Sequence, residues 1–148
     1  MKKFHKYPPR DPIKNYFPLP NELFQLELTA GEIAVYAFLM RHENRKDYTC
    51  VASYREIGSA VGMSQNTVSK YVAMLEERRL IQTEHTSVIT RDGRKYNGKL
   101  RYRILPIQGA VDCHHEKKLA QLEQATARYN AQKVQARWDA LSGNSPFS

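Results

Sequence analysis

The chain has 148 residues, 23 Lys/Arg against 15 Asp/Glu, a formal net charge of +8 and 41% hydrophobic residues. That length fits one small domain with appendages, and no apolar run approaches a membrane span. Its two cysteines exclude a disulfide framework and, with no signal peptide evident, predict a reducing cytoplasm.

The first twenty residues hold Pro8, Pro9, Pro12, Pro18 and Pro20 together with Lys2, Lys3, Lys6, Arg10 and Lys14. No helix survives that proline density. Residues 1–15 therefore read as a flexible basic Pro-rich arm: either a terminal tail, or an extended segment reaching a DNA minor groove. Tyr16, Phe17, Leu19 and Leu23 are apolar enough to dock on a domain and mark where order begins. Thr29-Ala30-Gly31-Glu32 fits a capping box, in which Thr29 and Glu32 satisfy each other's orphan backbone donors. The helix it opens places Ile33, Tyr36, Ala37 and Met40 on one face, widened by Val35, Phe38 and Leu39. Cys50 lies between the strand formers Thr49 and Val51, which predicts a short strand.

Residues 53 to 81 carry the most information. Ser53-Tyr54-Arg55-Glu56 is a second capping box, with Ser53 and Glu56 as partners, and Ile57, Ala60 and Val61 give the helix an apolar stripe. Gly62 ends that helix and Ser64 caps another. A three-residue turn between two short helices is the layout of a helix-turn-helix, whose second helix enters a DNA major groove. In that second helix Val68, Tyr71, Val72 and Leu75 recur at helical spacing as a buried stripe. The candidate base-reading residues are Ser64, Gln65, Asn66, Thr67, Ser69 and Lys70. Asn and Gln pair with adenine edges, and Lys with guanine or phosphate. A plain solvated face is usually filled with Glu and Lys, yet the first two turns after Ser64 hold no acid.

A hairpin follows. Residues 81–90 have strand composition, Arg91-Asp92-Gly93-Arg94 is a turn signal, and residues 100–105 alternate apolar with basic. Asn97-Gly98 offers a second turn, leaving the register open. Residues 82–104 carry six Lys/Arg and two acids, whereas residues 21–81 carry seven and eight. Arg91, Arg94, Lys95, Lys99 and Arg101 are the candidate backbone contacts of a wing, lying along phosphates or in the minor groove. The competing reading is a hairpin kept soluble by its charges. A helix from about Glu116 to Leu141 has no internal Gly or Pro. Its two apolar stripes, Leu119/Leu122/Tyr129 and Ala127/Ala131/Val134/Trp138/Leu141, do not merge into one heptad frame. It bends or packs by halves, against its own domain or a second copy, and residues 142–148 fray.

The run Tyr54-Arg55-Glu56-Ile57-Gly58, Val61-Gly62-Met63-Ser64, Thr67-Val68 and Leu75-Glu76-Glu77-Arg78-Arg79-Leu80-Ile81 resembles the winged helix-turn-helix family, including GntR-like repressors. Tyr16 to Phe24, with Leu28 to Glu32 and Val35 to Leu39, resembles the opening of plasmid and phage replication initiators. The resemblance implies an α+β fold, mainly α with a small β wing, and a C-terminal helix. It also implies a domain over residues 16–105, followed by a helix and tail over 106–148. It departs from repressors that carry an effector domain and from initiators with a longer C-terminal region.

Other readings are weaker. Cys113-His114-His115 has metal-binding residue types, but adjacent side chains do not face one ion and Cys50 is far away in sequence, so no metal is expected. No phosphate loop and no nucleophile beside a base appear, so the chain reads as a non-enzyme without cofactors. What remains is a sequence-specific double-stranded DNA-binding protein controlling transcription or the start of replication on a mobile element, with a homodimer through the terminal helix. The alternative is a winged helix serving protein interaction, for which the Gln65, Asn66, Ser69 and Lys70 face is unusually polar.

Overall fold

The computed structural model describes residues 14–143; the arm and the last five residues lie outside them, and with them the reading of residues 1–13. The described chain runs through a short 3-10 turn (Asn21–Gln25), α1 (Ala30–His42), β1 (Thr49–Ala52), α2 (Tyr54–Val61), α3 (Gln65–Glu77), β2 (Ile81–Glu84), β3 (Ser87–Ile89), β4 (Lys95–Asn97), β5 (Leu100–Ile104) and α4 (Ile107–Leu141). This is a winged helix-turn-helix with a C-terminal helix, mainly α with a small antiparallel β component.

Both capping boxes form. The Thr29 side chain accepts from the Glu32 amide while Glu32 accepts from Thr29, and Ser53 and Glu56 do the same at the start of α2. Such motifs close within four residues, so no tertiary contact is needed to specify them. α2 ends at Gly62, whose φ of 74° is a left-handed cap. The Gly62 and Met63 amides both donate to the Gly58 carbonyl, folding the chain back on itself. A methyl group on Gly58 would overlap the Met63 carbonyl, so the tight turn depends on that glycine.

The core forms where the helices meet one face of the sheet. α3 contributes Val68, Val72 and Leu75, α1 contributes Val35, Tyr36 and Leu39, and the strands add Cys50, Ala52, Ile81 and Tyr102. Tyr71 sits against Gly31 on α1, where any side chain would collide with its ring. Of the expected face of α1, Val35, Tyr36 and Leu39 are buried beside Glu32, while Ile33, Ala37, Phe38 and Met40 are only half-buried. Glu32 is fully buried and its Oε2 lies 2.8 Å from Arg78 Nε, just beyond α3. Arg78 Nη1 also donates to the Leu26 carbonyl at 2.9 Å. Hydropathy alone gives no sign of such a partner. Ala60 in α2 is likewise exposed, and Ile57 and Gly58 carry the buried face there. Leu23 and Leu26 enter the core, but Tyr16 and Phe17 remain largely exposed instead of docking.

β1, β5 and β2 form an antiparallel sheet in that order, with Cys50 opposite Tyr102 and Thr83 also opposite Tyr102. β3 and β4 form a separate two-stranded ribbon in which Val88 faces Tyr96. The expected single hairpin is thus divided in two. Its tip is the predicted D-G turn, with Gly93 at φ 77° and the Thr90 amide donating to Arg94. Asn97-Gly98 is not a turn: the Gly98 amide donates to the Thr86 carbonyl and the Thr86 hydroxyl to the Lys99 carbonyl.

The chain divides into two compact units, one ending at Ala110 and the other beginning at Val111. α4 starts at Ile107, nine residues before the expected Glu116. Pro106 explains the early start, because its fixed φ suits the entry of a helix whose first amides have no partner. Beyond Val111, Leu119, Leu122, Tyr129, Val134, Trp138 and Leu141 are all exposed.

Candidate nucleic-acid interface

α3 is held from three sides within its unit. Its buried stripe enters the core, Arg78 binds Glu32 just past its end, and Glu76 accepts from the Thr83 amide and hydroxyl at 3.0 and 2.7 Å. In the sequence Glu76 stands only as part of the run from Leu75 to Ile81. Its partner lies across a strand start, seven residues on, where helical spacing gives no hint. The opposite face presents Gln65, Asn66 and Lys70 in full exposure, with Ser69 half-buried. Ser64 and Thr67 are occupied locally: Ser64 accepts from the Thr67 amide at 3.2 Å, and their hydroxyls lie 2.9 Å apart. These two side chains build the helix start, whereas no such local hydrogen bond engages the candidates Gln65, Asn66, Ser69 and Lys70 among the described residues. The amides of that first turn also point outward, the arrangement that favours an anion such as phosphate.

The wing cations fall into two groups. Arg91, Arg94 and Lys95 are exposed around the tip turn, with no acid paired to them among the described residues. Lys99 instead binds Glu56, joining the ribbon's base to the cap of α2. That ammonium, together with the Ser53 amide, holds the Glu56 carboxyl below the usual carboxylate range. Arg101 is 3.9 Å from Glu84. By alternation along β5, with Tyr102 buried, Arg101 and Arg103 point away from the helix-covered face of the sheet. The five candidate wing residues are therefore not one patch: three line the tip, one fastens the base, and one lies on the outer sheet face.

Among the described residues no group of three or more His, Cys, Asp or Glu is placed to hold a metal ion. Cys113, His114 and His115 fall within early turns of α4, which fans them around the axis. Burial raises the Cys50 thiol pKa, with Glu56 and Glu43 adding to the effect, so that thiol stays protonated. His42 stacks on Phe38 with ring centroids 4.4 Å apart. No helix among the described residues is long and apolar enough to cross a membrane.

Residues 26–81, from just before α1 to the start of β2, match the family described as a helix-turn-helix domain. The match begins after the Tyr16–Phe24 stretch that suggests replication initiators. No curated protein matches the chain. Solved structures with a similar arrangement include a "possible transcriptional regulator" from Methanosarcina mazei, at 15% identity over 75% of this chain and 80% of that one, TM-score 0.42. Another is the zinc-responsive MarR family member ZitR of Lactococcus lactis, at 20% identity over 80% and 76%, TM-score 0.38. A third is a Staphylococcus aureus MepR mutant bound to an oligodeoxyribonucleotide, at 18% identity over 84% and 85%, TM-score 0.40.

Proposed function

We propose that this chain is a sequence-specific double-stranded DNA-binding protein that regulates transcription or the start of replication on a plasmid, phage or other mobile element. One observation carries the reading. The exposed start of a helix-turn-helix second helix bears Gln65, Asn66, Ser69 and Lys70 with no acid among them, while its other face is fixed in the core. A rigidly held helix can keep bidentate donors aligned with base edges. The unpaired cations at the ribbon tip supply sequence-independent attraction to phosphates, and Lys99 sets the ribbon's base relative to α2.

In this reading residues 16–105 are the reading domain and residues 106–148 a helix and tail. The exposed apolar side chains of α4 are covered by the same helix of a second copy, giving a dimer that reads two half-sites. The mobile-element context rests on the Tyr16–Phe24 resemblance.

The test is to incubate the protein with sheared DNA from its source and sequence the fragments it retains. An enriched inverted repeat at a promoter supports a dimeric regulator, and tandem repeats beside a replication gene support an initiator. On the enriched site, Asn66→Ala or Lys70→Ala is expected to cost about 1–3 kcal/mol of binding. Unchanged affinity in both variants, with the fold intact, removes α3 as the reader. Absence of enrichment favours the protein-interaction alternative.

A further inference from the structure

Over residues 119–141 every side chain of α4 is exposed, including Val134, Trp138 and Leu141 at 55%, 67% and 84%. Helices in proteins owe most of their stability to packing an apolar face, and here that face has no cover among the described residues. Ala120, Ala127, Ala131, Val134, Trp138 and Leu141, with Gln124 between the first two, are spaced alternately four and three apart. That spacing holds them in one line along the helix, the seam of a two-stranded coil. Leu122 and Tyr129 turn to the other side.

The charges beside the seam decide what fits on it. Glu123 and Arg137 each directly precede a seam residue on the same flank, and they stand seven residues either side of Asn130. Neither makes an ion pair among the described residues. A second copy of α4 laid antiparallel about Asn130 brings Glu123 beside the partner's Arg137 and, by symmetry, Arg137 beside the partner's Glu123. The same register sets Ala120 against the partner's Trp138, so that bulk meets a small residue, and Ala127 against the partner's Ala131, so that the helices approach closely at the centre. Arg128 then meets the partner's Arg128 near the axis, a like-charge contact between two long, exposed side chains. A parallel copy would instead stack Trp138 on the partner's Trp138 and Lys117 on the partner's Lys117.

We propose that α4 pairs antiparallel with the α4 of a second copy along the seam of residues 120–141, making the Glu123–Arg137 ion pair twice. The inference rests on the α4 dimer proposed above and narrows it to one face and one direction.

Sedimentation equilibrium of the full chain at low salt measures the dimer constant. Glu123→Arg alone and Arg137→Glu alone each turn two attractions into two repulsions, and each is expected to weaken association about tenfold. The double variant rebuilds both pairs with reversed sign and is expected to return to within about twofold of the parent. Trp138→Ala is expected to weaken association at least about tenfold. Leu122→Ala, off the seam, is expected to leave it within about twofold. Circular dichroism confirms that each variant keeps its helix content. In a parallel pairing Glu123 lies beside the partner's Arg128, so Arg137→Glu changes little and the double variant stays as weak as Glu123→Arg. That result overturns the proposal while leaving a dimer standing, as does undiminished association of folded Trp138→Ala or a loss in Leu122→Ala as large as in Trp138→Ala. A chain that stays monomeric at every concentration measured overturns this proposal and the dimer together.

Discussion

Replacing Arg78 with Met removes the partner of the most deeply buried charge described in the chain. Glu32 is fully buried, and its contact with Arg78 Nε is 2.8 Å but off hydrogen-bond alignment. Breaking a buried ion pair by deleting one partner costs about 3–5 kcal/mol. Two facts move this case to the lower end of that range. Arg78 is 29% exposed, so water already screens part of the interaction. Glu32 also keeps the Thr29 amide and hydroxyl, at 3.2 and 3.1 Å. Loss of the Arg78–Leu26 bond leaves a carbonyl without its donor, about another 1 kcal/mol. The expected total is about 4 kcal/mol. Urea unfolding should show it as a lower midpoint with an unchanged slope, since the exposed surface on unfolding is the same. Pairing Arg78→Met with Glu32→Gln should recover at least about 1 kcal/mol of the summed single losses. A loss under about 1 kcal/mol for Arg78→Met, or additive losses in the pair, refutes the claim that this charge pair secures the end of α3.

Other perturbations separate parts of the fold and interface. Gly58→Ala should destabilise by about 2 kcal/mol in the same assay despite alanine's better helix propensity, because its methyl meets the Met63 carbonyl and opens the turn. Neutralising Arg94 and Lys95 together should flatten the salt dependence of DNA binding by about two log units per log unit of salt, whereas Lys99→Ala, already paired with Glu56, should change the slope by less than about one. Equal slopes for both variants would contradict the division of the wing. From neutral pH upward, stability should begin to fall near pH 9, where the unfolded Cys50 thiol loses its proton, and fall further above about pH 10. Burial pushes the Tyr36 hydroxyl up to about 12 and raises that of Tyr102 as well. The unfolded chain therefore releases these protons first, near the ordinary value of 10.0. Calorimetric melts at pH 9 and 11 should differ by about 1 kcal/mol or more, and Tyr36→Phe should reduce the difference.

The parts legible in the sequence were those closed by short-range chemistry. Ser53/Glu56 and Thr29/Glu32 are complete within four residues, Gly62 is needed for a left-handed cap, and Val68/Val72/Leu75 repeat at helical spacing. What sequence reasoning missed depends on residues far apart in the chain. Glu32 looks like half of a cap until Arg78, 46 residues on, reaches it. Lys99 looks like a phosphate contact until Glu56 takes it. Asn97-Gly98 has the composition of a turn but meets Thr86 across the ribbon instead. Of the candidate readers, Gln65, Asn66 and Lys70 were visible because their neighbours form a stripe. The roles of Ser64 and Thr67 as a mutual cap were harder to see, because hydroxyl residues suit both bases and helix starts.

The β3–β4 ribbon has no buried residue on either strand; Thr86, Gly98 and Lys99 close its base, and the Lys99–Glu56 pair ties that base to α2. A two-stranded ribbon whose apolar side chains stay exposed has little stability of its own. The fold therefore places few demands on the length or composition of residues 87–97. Insertions, deletions and charge reversals there escape the packing constraints that bind α3. If the ribbon grips a nucleic-acid backbone as proposed, its charge can therefore be retuned without disturbing the helix that Arg78 and Glu76 lock in place.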